Sequence, residues 1–162
     1  MKLLIFLALI TIAPGEELTS YEASLVHHTW MQIRPAENEI LYSIFKDYPV
    51  LQNKFPALAY QDLDAIKNTP TFHAHSAPIF AKLDQIFQLH AYQGNEATMT
   101  AVLAELAHKH NSRGATKQDF QNYFRGLTKY ASTHTYWDAD VASAWSKALD
   151  NMYAVLVAYL AN

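Results

Sequence analysis

Apolar side chains recur every three to four residues through one segment after another of this chain, and nowhere alternate over the length of a strand. That pattern admits a helical protein and little else. Leu25, Val26, Thr29, Trp30 and Ile33 follow Thr19 and Glu22, whose three-residue separation is a capping-box pattern. Ile40, Leu41, Ile44 and Phe45 form a second stripe beyond the Arg34-Pro35 interruption, and Tyr48-Pro49 ends it. Residues 55–68 are mixed and predict a short helix or a loop. Thr69 then caps a long helix with Pro70 at its first position, predicted to reach about Tyr92 with Phe72, His75, Ile79, Leu83, Ile86 and Phe87 inward. Met99, Val102, Leu103 and Leu106 mark the next helix, which residues 111–114 break. Thr116 with Asp119 opens another through Phe120, Tyr123, Phe124, Leu127 and Tyr130. Asp138 caps the last, whose apolar face begins at Val141 and ends at Leu160. Six to eight helices of unequal length with abrupt junctions suit an all-α fold of crossed helices around a pocket better than an up-and-down bundle.

The chain has 162 residues, which fits one domain, and 51% of them are hydrophobic, enough for a packed core. Net charge is −3 with scattered Lys and Arg, so no nucleic-acid surface is expected. Lys2, the apolar run of residues 3–12, and the small residues Ala13 and Gly15 read as a secretory signal spanning residues 1–15. That run is too short to span a bilayer, and no other segment looks transmembrane. The expected mature domain is residues 16–162. The chain has no cysteine, which excludes cysteine nucleophiles, zinc fingers, iron–sulfur clusters and covalent haem attachment.

Of the eight histidines, two pairs stand two residues apart, His73/His75 and His108/His110. On a helix that spacing turns them about 200° from one another, so neither pair chelates one metal. Helical phase chooses within each pair. His75 shares a face with Phe72 and Ile79, and His110 follows Leu103 and Leu106 by seven and four residues. His73 and His108 then point to solvent, and His90 and His134 are read as exposed. One inward imidazole remains on each of two helices, among aromatic and aliphatic residues. Two such groups suit the two sides of a flat apolar ligand better than an acid–base pair.

These residues carry a resemblance to the globin family, in particular to the secreted haemoglobins of midge larvae. "ILYSIFKDYPVLQNKF" resembles the globin second helix, its proline-led corner and the phenylalanine that packs on haem, with Pro49 and Phe55 six apart. "LAHKH" is similar to the end of the sixth helix, and "RGAT" to the exit from it. Trp30 and "AWSKALDNMY" match the first and last helices. The resemblance covers essentially the whole mature chain. It implies haem b as cofactor, His110 as proximal iron ligand and His75 as the distal, oxygen-facing histidine. It also implies that Phe55 packs on the ring, that Leu41 and Ile79 line the distal side, and that Leu106 supports the proximal side. Two departures stand out. Pro78 occupies a position where these globins commonly carry a basic residue, and it predicts a kink one turn from His75. The segment between His75 and His110 is also longer than usual, with the extra length placed near residues 89–96.

The function so implied is reversible oxygen binding by a secreted protein of body fluid, with molecular oxygen as partner, no enzymatic turnover, and a monomeric or weakly dimeric state. The alternatives are a haem globin that consumes peroxide or nitric oxide, and a haem-free helical carrier of small apolar molecules.

Overall fold

A computed structural model of the chain describes residues 16–92 and 94–161. The predicted signal, residues 1–15, lies outside them. Among the described residues the chain is helical with no strand, and the order is α1 (Ser20–Ile33), a 3-10 turn (Arg34–Ala36), α2 (Glu37–Asp47), α3 (Pro49–Gln52), α4 (Leu63–Ile66), α5 (Pro70–His90), α6 (Glu96–Asn111), α7 (Lys117–His134) and α8 (Ala139–Tyr159).

The helix starts follow from single side chains. Thr19 and Thr116 each accept from the backbone N–H three residues on, while Glu22 and Asp119 reach back to the cap N–H, so both predicted capping boxes form. Thr69 accepts from the Phe72 N–H and Asp138 from the Val141 N–H. Each such cap is worth about 1 kcal/mol. The mixed segment holds one turn of helix, α4, capped by Asp62. α5 continues unbroken through Pro78. Pro78 and Ala74 are both exposed, so the carbonyl that loses its N–H partner faces water and no buried group is orphaned.

α1 packs against α5 and α8, α2 against α5 and α7, and α6 against α5 and α8. At the heart of the first group lies Trp30, fully buried between Phe80 (ring centroids 6.1 Å) and Phe87 (4.6 Å), with Trp145 a further 5.3 Å beyond Phe87. Its indole N–H donates to the Asp84 carboxylate at 3.0 Å. Asp84 also pairs with Arg34 at 3.1 Å and accepts from Gln88 at 3.1 Å, so its buried charge is compensated from three sides.

The buried arc of α5 is wider than its apolar pattern predicts. Phe72, Leu83, Ile86 and Phe87 are buried as expected, but so are Ser76, Phe80 and Asp84. His75 and Ile79 lie on the flank of that arc, half-buried. Helix α6 has the same layout: Leu103 and Ala107 are buried, and Leu106 and His110 are half-buried beside them. His73 is exposed, as expected, and its ring nitrogen lies 3.3 Å from the Glu37 carboxylate. His108 is exposed and sets its ring edge-on to Tyr159 at 5.7 Å.

His90 departs from the expectation of exposure. It is half-buried at the end of α5, and its Nε2 has no hydrogen-bond partner among the described residues. Burial pushes its pKa from 6.5 down to about 4. Between those values the unfolded chain binds a proton that the folded chain refuses, so stability falls as pH drops through that window. In thermal unfolding followed from pH 7 to pH 4, His90→Gln flattens this acid limb.

α2 and α7 touch at Gly126. A Cβ there would lie 2.9 Å from Cγ1 of Ile44, which is itself fully buried. The gain in helix propensity from replacing glycine is a few tenths of a kcal/mol for valine, whereas overpacking costs about 1–3 kcal/mol. Gly126→Val therefore lowers stability by about 1–2 kcal/mol, read from the denaturant midpoint.

Candidate functional site

The site is built from two half-buried helix flanks and one stapled loop. The loop follows α3. The buried side-chain amide of Gln52 donates to the Leu58 carbonyl at 2.8 Å and the Gln61 carbonyl at 2.9 Å, and the Leu58 and Ala59 N–H groups both bond the Phe55 carbonyl. These bonds fix where Phe55 projects. Its ring meets Phe45 of α2 at 5.3 Å, and Phe45 in turn meets Phe72 of α5 at 6.1 Å. Phe55 also meets the His75 ring edge-on, 6.0 Å between centroids and 82° between planes.

On α5, His75 Nδ1 lies 2.8 Å from the Thr71 carbonyl one turn back. On α6, His110 Nδ1 lies 2.8 Å from the Leu106 carbonyl, again one turn back, and its ring packs 5.2 Å from Phe120 of α7. A carbonyl only accepts, so Nδ1 is the protonated nitrogen in both bonds. Desolvation holds the His110 pKa below the usual imidazole value, the Leu106 bond opposes this, and the nearby Arg113 charge lowers it further. A neutral His110 with Nδ1 engaged presents a lone pair at Nε2, which is the form that binds a metal. Among the described residues no group of three or more His, Cys, Asp or Glu side chains could hold a metal ion. An ion on His110 must therefore draw most of its ligands from a bound group.

A cross-link joins the two histidine walls. Lys54, the residue before Phe55, donates to the Gly114 carbonyl at 3.0 Å and pairs with Asp119 at 3.4 Å. Gly114 lies in the corner that follows His110, where Arg113 and Ala115 both return N–H bonds to the His110 carbonyl. Its φ of +67° is a left-handed conformation that glycine adopts without strain. The loop that touches His75 is thus tied to the turn that His110 opens.

The globin family profile matches residues 38–156, a stretch that includes both histidines, the stapled loop and the corner. The chain belongs to the globin family. It is 38% identical to Globin CTT-VIIB-8 of Chironomus thummi thummi over 97% of this chain and 98% of that one. It is 40% identical to Globin CTT-V of Chironomus thummi piger over 93% and 94%. The crystal structure of a haemoglobin component, TA-VII, from Tokunagayusurika akamusi superposes with a TM-score of 0.86 at 30% identity, covering 90% of this chain and 98% of that one. In this globin the sequence-selected residues fall in three groups. His75 meets Phe55 directly, with Ile79 one turn along, half-buried against the core. Leu106 holds His110 through its carbonyl. Leu41 lies wholly inside the core on α2. Sequence reasoning passed over Thr71, Phe120 and Lys54. Thr71 acts through its backbone, which no residue identity reveals. Phe120 had been read as one member of an apolar stripe.

The Lys54 cross-link is partly exposed, so its contribution stays near or below about 1 kcal/mol. Lys54→Met accordingly speeds amide hydrogen exchange across residues 111–116 by roughly three- to fivefold, with exchange in α8 unchanged.

Proposed function

We propose that this globin holds haem b between α5 and α6 and binds molecular oxygen reversibly, as a secreted carrier or store rather than an enzyme. The observation that carries the reading is the His110–Leu106 bond. It fixes the tautomer and leaves Nε2 as the one protein ligand the iron needs. A porphyrin supplies the remaining equatorial nitrogens, which fits a site with no second cluster of metal-binding side chains among the described residues. The absence of cysteine fits a group held without thioether bonds. Ferrous haem, when bound, supplies an open axial position for oxygen.

The chain's own residues then have distinct tasks. His110 anchors the iron. Phe55, held by the Gln52 staple, packs on the ring, and Leu41, Ile79 and Leu106 exclude water, which limits oxidation of ferrous iron. His75, on the distal side, can donate an N–H to an oxygen ligand that carries partial negative charge, a contribution of roughly 1–3 kcal/mol. Secretion is supported by the signal pattern in residues 1–15 preceding a domain of residues 16–162. Among the described residues no helix is long and apolar enough to cross a membrane.

Haemin titration followed by absorption spectroscopy tests the anchor. The unaltered chain takes up one haem, and His110→Ala loses stable uptake or holds the haem with an altered ferrous spectrum. A wild-type ferrous spectrum from His110→Ala would falsify the ligand assignment. On the distal side, His75→Leu retains haem and releases oxygen about ten- to a hundredfold faster, measured by stopped-flow mixing with a ligand trap.

A further inference from the structure

The haem-globin reading leaves the resting state of His75 undefined, and the hydrogen bond it makes defines it. We propose that His75 is a second iron ligand: its Nε2 closes the sixth coordination position until an external ligand displaces it. This inference rests on the haem reading above.

A neutral imidazole carries one ring proton. The Thr71 carbonyl, 2.8 Å from His75 Nδ1, accepts that proton, so Nε2 holds a lone pair. A lone pair directed at a partly negative oxygen ligand repels it, and the same lone pair directed at iron forms a bond. In this geometry His75 is a ligand and not a donor. The comparison with His110 is internal to the chain: both histidines bond the carbonyl four residues back from Nδ1, and both distances are 2.8 Å. The arrangement that prepares the proximal histidine for iron is repeated on the distal helix. The Phe55 edge against the His75 ring fixes the ring plane from the other side.

Oxygen binding then requires a second state. His75 leaves the iron, gives up the Thr71 bond and takes a proton on Nε2, from which it donates to oxygen. Its half-buried position and the exposure of Thr71 allow that proton to exchange with water. His75 therefore competes with oxygen before binding and stabilises it afterwards.

The full-length mature chain, loaded with haem, reduced and deoxygenated, distinguishes the outcomes. The solution is held about two units above the ordinary imidazole pKa, so that an imidazolium donating from both nitrogens does not complicate the result. The unaltered protein shows the two sharp visible bands of low-spin, six-coordinate ferrous haem. His75→Leu shows the single broad band of the five-coordinate form, and its carbon monoxide association after flash photolysis is about tenfold faster, because a site that is mostly closed lowers the competent fraction in proportion. In the unaltered protein the slow phase of that association levels off at high carbon monoxide, limited by departure of His75. His75→Gln, which keeps a polar side chain but binds iron poorly, gives the same result as His75→Leu if the leucine variant fails to load. A single broad band from the unaltered protein overturns the inference and leaves the oxygen-carrier reading standing. Sharp bands that persist in both variants also overturn it, since some other group is then the ligand. If the unaltered chain takes up no haem, the underlying reading fails, and this inference with it.

Discussion

The hydrogen bond from Trp30 to Asp84 sets the orientation on which the rest of this globin depends. Trp30 is buried in an aromatic stack that joins α1, α5 and α8, and its one polar atom needs an acceptor there. Asp84 is that acceptor, and its own charge is tolerable because Arg34 and Gln88 complete its shell. Removing any one member leaves a buried donor or a buried charge without a partner. The stack thus fixes not only how close α5 sits to α1 but how α5 is rotated about its axis. With Phe80, Asp84 and Phe87 facing the core, His75 and Ile79 are carried to the neighbouring flank.

The same logic holds on α6, where burial of Leu103 and Ala107 turns Leu106 and His110 to the flank. A ligand-binding helix needs this offset. A histidine at the centre of the buried arc would be packed shut, and one on the opposite face would be hydrated. Placement beside the arc gives a ring desolvated enough to be neutral and still able to present one nitrogen. Each ring then takes its direction from the carbonyl one turn back, so a purely backbone contact decides which nitrogen is available for chemistry.

Much of this was legible in the sequence. The threonine and aspartate caps, the 3-10 interruption at Arg34-Pro35 and the inward phase of His75 and His110 follow from local rules with a period and a sign. Ser76 and Asp84 were not legible as core residues, because their burial depends on partners 38 and 54 positions away, Asn38 and Trp30. His90 was misjudged for a similar reason: nothing beside it in the chain announces that tertiary packing will cover it. The expected break at Pro78 did not form, because the missing bond falls on the wet side of α5, where water satisfies the carbonyl. The proton positions on the two site histidines lay beyond sequence reasoning altogether, since they depend on side-chain rotamers.

Lys54 spans from the stapled loop to the corner behind His110 by a long, flexible side chain ending in a point charge. Dissolved ions weaken such a tether far more than they weaken the apolar core, because one of its partners is solvated while the core is dry. The rim can therefore part and reseal many times without any helix unpacking. How often it does so follows the saltiness of the surrounding fluid, independently of how firmly the protein as a whole is folded.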